Sequence, residues 1–140
     1  MSKLILEWKK CIPNESNNDN HWCNLVNLEK KDLNYNGVYI IWYPKGPVLK
    51  IGSGNIRERL EKHSNKNEDF YKGLMKYNKK NNTNFNLEDL LVTFAQVNGN
   101  QMEGVEAYLA NIYKNVLDSE TTAIRFPNKK MIEVNNPFDK

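Results

Sequence analysis

The chain has 140 residues, 39% hydrophobic and 26% charged, enough for one hydrophobic core and too few for two. No apolar run approaches the length of a bilayer span, and the start, MSKLILEWKKC, lacks the long apolar stretch and cleavage site of a secretory signal. A soluble, cytoplasmic protein with no membrane partner is therefore expected. The net charge of +3 leans mildly towards polyanions, with basic residues gathered from Lys50 to Lys66 and from Lys72 to Lys80. That pattern suits a solvated surface and a phosphate-tracking stripe equally well.

In chain order, Leu4, Leu6 and Trp8 alternate with Ile5 and Glu7, which reads as a short strand or an extended arm. Pro13 to Asn20 is loop by composition. His21 to Lys31 holds Trp22, Leu25, Val26 and Leu28, a short helix or an irregular plug. Cys11 and Cys23 flank the Asn-rich loop. With His21 they match no zinc template, and free thiols are expected. Residues 1–36 are read as an extension packing on a core formed by residues 37–140.

Val38 to Tyr43 is β-branched and aromatic throughout, a strong buried strand. Pro44 to Pro47 is turn material, and Val48 to Ile51 returns as the second arm of a hairpin. Gly52-Ser53-Gly54 is expected to break that strand, with Asn55 capping a helix in which Ile56, Leu60 and His63 share a face. Glu58 and Lys62 form an i, i+4 pair on the solvent side. Asp69 to Lys80 reads as a second amphipathic helix, Leu90 to Val97 as a third strand, and Met102 to Leu117 as a long helix. The tail is mostly irregular, with Met131 to Val134 able to extend. The fold class is thus α+β: a small antiparallel three-stranded sheet, hairpin plus third strand, flanked by helices.

Four residues carry chemistry beyond packing. Tyr39 lies in an apolar strand, where a core aromatic with a satisfied hydroxyl is the plain alternative. Arg59 and His63 lie on the face that carries Ile56 and are expected to point inward, which for arginine needs an anion. Glu106 is flanked on its helix by Val105, Leu109 and Tyr113, so its carboxylate is expected at the edge of the core. A Tyr, an Arg, a His and a Glu brought together form an inventory for phosphodiester cleavage. Carboxylate oxygen holds a hydrated divalent metal, arginine meets developing negative charge, and Tyr or His relays a proton.

Gly37-Val38-Tyr39 and Lys50-Ile51-Gly52 resemble the two signature triplets of the GIY-YIG nucleases. Asn55-Ile56, Arg59-Leu60 and His63 are similar to the family's Asn-Leu, Arg-Leu and His pattern after the second triplet. Val105 to Leu109 resembles the family's C-terminal helix with its metal-binding glutamate, and Glu133 to Phe138 a terminal segment of some small members. The resemblance covers residues 37–135. It implies Tyr39 beside the attacking water, Arg59 on the scissile phosphate, His63 assisting water or phosphate, and Glu106 holding one Mg²⁺ or Mn²⁺. Lys50 stands where the family usually has tyrosine and offers a cation instead of a hydroxyl. Gly52, Ser53, Asn55, Arg57, Lys62 and Asn135 are the expected nucleic-acid contacts.

The implied activity is one-metal hydrolysis of DNA, with RNA as a further substrate left open. Glu103, three residues before Glu106, is the one extra carboxylate in reach. Two alternatives stand beside it: a nucleic-acid-binding module weakened through Lys50, and a toxin or effector nuclease controlled by a protein partner.

Overall fold

Val38, Ile40 and Ile51 on one side, and Tyr39 and Ile41 on the other, follow the period-two alternation of a strand buried on both faces. In the computed structural model, which describes residues 3–9, 23–44, 47–113 and 130–138, this segment is the centre of the sheet. The elements in chain order are β1 (Cys23–Asn24), β2 (Asn36–Trp42), β3 (Val48–Asn55), α1 (Ile56–His63), α2 (Asp69–Asn81), a 3₁₀ turn (Leu87–Asp89), β4 (Leu91–Gln96) and α3 (Met102–Ile112). The sheet order is β1-β4-β2-β3, antiparallel throughout, so β3 is an edge strand.

The α+β class holds, but the sheet has four strands, not three. The fourth, β1, pairs Cys23 with Val92 and Asn24 with Leu91. It lies inside the stretch read as a helix or plug, and two residues are too few to show an alternation. Turns follow it, fixed by the Asn24 side chain, whose Oδ1 accepts from the Val26 and Asn27 amides. A second correction concerns Gly52-Ser53-Gly54. The strand does not break there; β3 runs on to Asn55, with Gly52 opposite Tyr39 and Gly54 opposite Gly37. Cys23 is disulfide-bonded, which overturns the expectation of a free thiol at that position. Cys11, His21, Trp22, the Lys45-Gly46 tip of the turn and the expected helical residues 114–117 lie outside the described residues.

Helices cover both faces of the sheet. Ile56, Leu60, Phe70 and Leu74 from α1 and α2 pack with Tyr39, Ile41, Val92 and Phe94. Val105 and Leu109 from α3 pack with Val38, Ile40, Ile51 and Ala95 on the opposite side. Each such aliphatic side chain contributes roughly 1.5–3 kcal/mol when fully buried. Asn55 does cap α1: its Oδ1 accepts from the Glu58 amide at 3.0 Å. The expected Glu58–Lys62 pair does not form; Lys62 lies 4.0 Å from Glu68, and Arg57 pairs with Glu61.

The N-terminal arm is extended. Leu4 bridges Val134, Lys9 bridges Phe94, and buried Leu6 joins the α3-side core. No helix among the described residues is long and apolar enough to cross a membrane.

Candidate active site

Tyr39 projects from β2 across the face of β3, and the residue is 2% exposed. The path it takes explains Gly52, because a Cβ on that residue would overlap the Tyr39 hydroxyl. Beyond Gly52, the hydroxyl meets the Nε2 of His63 at 2.7 Å. His63 closes α1, packs against the Phe70 ring at 4.9 Å between centroids, and is 7% exposed. Burial, reinforced by the positive charges of Lys50, Arg59 and Lys62, pushes its pKa down to about 3. The ring is therefore neutral at physiological pH, and its tautomer sets which partner donates in the bond to Tyr39. Its Nδ1 is buried without a hydrogen-bond partner among the described residues.

Arg59 does not turn into the core, as its place on the Ile56 face suggested. The residue is exposed, and its guanidinium folds back along β3 over Gly54. Gly54 has φ of +136°, and a Cβ there would come within 2.8 Å of the Arg59 Nε. Gly54 thus serves two needs, a left-handed backbone and space for the arginine. Because Arg59 stays at the surface, it needs no buried anion to offset its charge.

Glu106 reaches the same place from the other side of the sheet. It is 3% exposed on α3, deeper than the core-edge position expected, and its Oε1 accepts a hydrogen bond from the Ser53 hydroxyl at 2.6 Å. A buried carboxylate needs such a donor to offset lost hydration.

These side chains line one pocket of about 230 Å³ on the edge strand: Tyr39, Lys50, Gly52, Ser53, Arg59, Glu103 and Glu106. It joins two faces of the sheet, with the α1 side supplying Tyr39 and Arg59 and the α3 side supplying the two glutamates. Cationic Lys50 and Arg59 share it with carboxylates, the mixed charge needed to hold a phosphate beside a cation. Among the described residues no group of three or more His, Cys, Asp or Glu side chains comes together. The pocket's anionic oxygens are those of Glu103 and Glu106.

Of the residues singled out from sequence, Tyr39, Lys50, Arg59, Glu106, Gly52 and Ser53 border this pocket, and His63 stands one hydrogen bond behind it. Asn55, Arg57, Lys62 and Asn135 do not line it. Asn55 is engaged in capping and with Asn34. Asn135 clamps the N-terminal arm: its Oδ1 accepts from the Leu6 amide at 2.7 Å and its Nδ2 donates to the Leu6 carbonyl at 3.1 Å. Sequence reasoning missed the contact of Ser53 with Glu106, since nothing in local spacing links residues 53 apart.

Compared with known protein families, curated proteins and solved structures, the chain matches none.

Proposed function

We propose that the chain is a metal-dependent endonuclease of the GIY-YIG type, hydrolysing phosphodiester bonds of DNA. The observation that carries the reading is convergence: Tyr39, Lys50, Arg59 and Glu106, drawn from β2, β3, α1 and α3, border a single pocket. An apolar strand, a surface helix and a core helix have no packing reason to send a phenol, two cations and a carboxylate to one place.

A hydrated Mg²⁺ or Mn²⁺ fits the donor set, because such ions take one or two carboxylates and keep several waters. Glu106 would hold it, with Glu103 as the second carboxylate on the same wall. When bound, the ion supplies charge to polarise the phosphate and stabilise the leaving oxygen. Arg59 and Lys50 bind the phosphate's non-bridging oxygens and meet the negative charge that grows on them. Neutral His63 accepts a hydrogen bond from the Tyr39 O–H. As the phenol oxygen takes a proton from the attacking water, the phenol's own proton passes to His63 Nε2, so that Tyr39 relays the proton. Ser53 holds the Glu106 carboxylate in one orientation.

The experiment is nicking of supercoiled plasmid by the purified chain with Mg²⁺ or Mn²⁺. Nicking or linearisation is expected, and EDTA or Glu106→Ala should abolish it. Cleavage that persists in either case belongs to a contaminant and sinks the reading. Labelled RNA under the same conditions determines whether ribose is accepted. A cytoplasmic site of action is part of this reading. The Cys23 disulfide points the other way, because reducing compartments keep thiols free, and thiol counting in a fresh lysate decides between them.

A further inference from the structure

Remote from the candidate active site in its lining, α2 borders a second pocket of about 510 Å³ whose walls include Lys66, Tyr71, Met75, Lys79 and Glu88. It shares no lining residue with the first. Its far wall is the loop after α2, held in shape by Asn78: the side chain donates to the Phe85 carbonyl at 2.9 Å and accepts from the Thr83 hydroxyl and the Phe85 amide. Among the lining residues, the Lys66 ammonium lies 3.2 Å from the Glu88 carboxylate and 5.7 Å from the centroid of the Tyr71 ring.

At about 100° per residue, buried Phe70 and Leu74 face the core, and Tyr71 and Met75 come next on the pocket side. Lys79, Lys72, Lys76 and Lys80 follow in that order around the axis. All four lysines are exposed, and none has an ion-pair partner among the described residues. Lys72, Lys76 and Lys80 are spaced i, i+4, i+8, where like charges disfavour the helix itself. No ion pair with another described residue offsets this repulsion, and a polyanion would.

We propose that this face of α2 holds a single-stranded stretch of nucleic acid: the lysines follow the phosphates, and one unstacked base enters the pocket against Tyr71. A phosphate of the strand takes the place of Glu88 as the anion on Lys66. A single strand fits better than a duplex because the pocket offers an aromatic face, and only an unpaired base has a free face to stack on it. The proposal rests on the nuclease reading for the class of polyanion alone; binding here requires no cleavage.

The test is fluorescence anisotropy on the full chain in EDTA, with a labelled oligothymidylate of about 20 nucleotides, longer than a single binding module covers, and a duplex of matched length. Tyr71→Leu keeps apolar bulk and should weaken single-strand binding about 5- to 100-fold while leaving duplex binding unchanged. Lys72→Gln, Lys76→Gln and Lys80→Gln together should make the dependence of log affinity on log salt shallower by about 2 for the single strand. Glu88→Gln should tighten binding, since it removes the competing anion. Variants are compared at equal melting temperature, and Tyr71→Phe, which keeps the ring, should bind as the parent does. Single-strand affinity indifferent to Tyr71→Leu, or an equal loss on duplex, overturns the proposal. Tyr71-dependent binding by a chain that fails to nick plasmid would sink the nuclease reading and leave this one standing. Nicking without Tyr71-dependent binding would do the reverse.

Discussion

The Ser53 hydroxyl lies 2.6 Å from the Glu106 Oε1, tying the outermost strand of the sheet to α3 at the wall of the pocket. A carboxylate exposed by only 3% takes its rotamer from directed contacts of this kind. Partners that orient a metal-binding carboxylate typically contribute 10- to 100-fold in metal affinity. Ser53→Ala should therefore raise the Mg²⁺ concentration for half-maximal cleavage by about 10-fold or more, with the rate largely recovered at saturating metal. Ser53→Thr, which keeps the hydroxyl, should stay close to the parent. An unchanged Mg²⁺ dependence in Ser53→Ala would remove this role.

Gly52→Ala should disturb Tyr39 directly, because the added methyl occupies the position of its hydroxyl. The wall behind Tyr39 is His63, itself packed on Phe70, so the ring has little room to retreat. Overpacking of this kind costs about 1–3 kcal/mol. A lower urea midpoint at constant m-value is the expected result, together with a loss of cleavage larger than the stability change explains.

His63 gives stability a pH dependence of known sign. Its folded pKa of about 3 lies well below the ordinary 6.5, so below pH 6.5 the unfolded chain takes up a proton that the folded one refuses. The stabilising effect of the neutral ring is complete above pH 6.5 and is lost progressively as pH falls towards 3. The slope is about 1.4 kcal/mol per pH unit. Denaturant melts of the parent and of His63→Gln between about pH 6 and pH 5 should differ by about that slope, with His21 and the carboxylates cancelling in the comparison. Parallel profiles would show that His63 titrates normally.

Asn135 separates structure from chemistry. Its side-chain amide pairs with both backbone groups of Leu6, and its main-chain carbonyl accepts from the Trp8 indole at 3.0 Å. Asn135→Ala should destabilise the fold by about 1–3 kcal/mol and leave cleavage per folded molecule unchanged. A fall in rate without a fall in melting temperature would instead bring Asn135 into the site.

Legibility in the sequence depends on where periodicity acts. The β2 core, α1 with its Asn55 cap, α2, β4 and the start of α3 repeat on a face, and a repeat can be counted. β1 is too short to repeat. Gly52 and Gly54 read as punctuation, although their missing side chains admit Tyr39 and Arg59 while the strand continues. Arg59 shows the converse error. Helical spacing puts it near Ile56, but a long side chain one turn from a glycine can leave that face and lie along the strand. The Tyr39–His63 and Ser53–Glu106 contacts belong to three-dimensional closure and leave no local mark.

The position of β3 at the margin of the sheet has a geometric consequence for the proposed nuclease. A pocket on a rim is bounded by protein on its inner side and has no closed end. A polymer can lie across it with both of its ends far away in solvent, entering sideways without being threaded. Such a site has no means of counting from a terminus, so cuts should fall within a chain from the first turnover, and closed circles should be as good a substrate as linear strands.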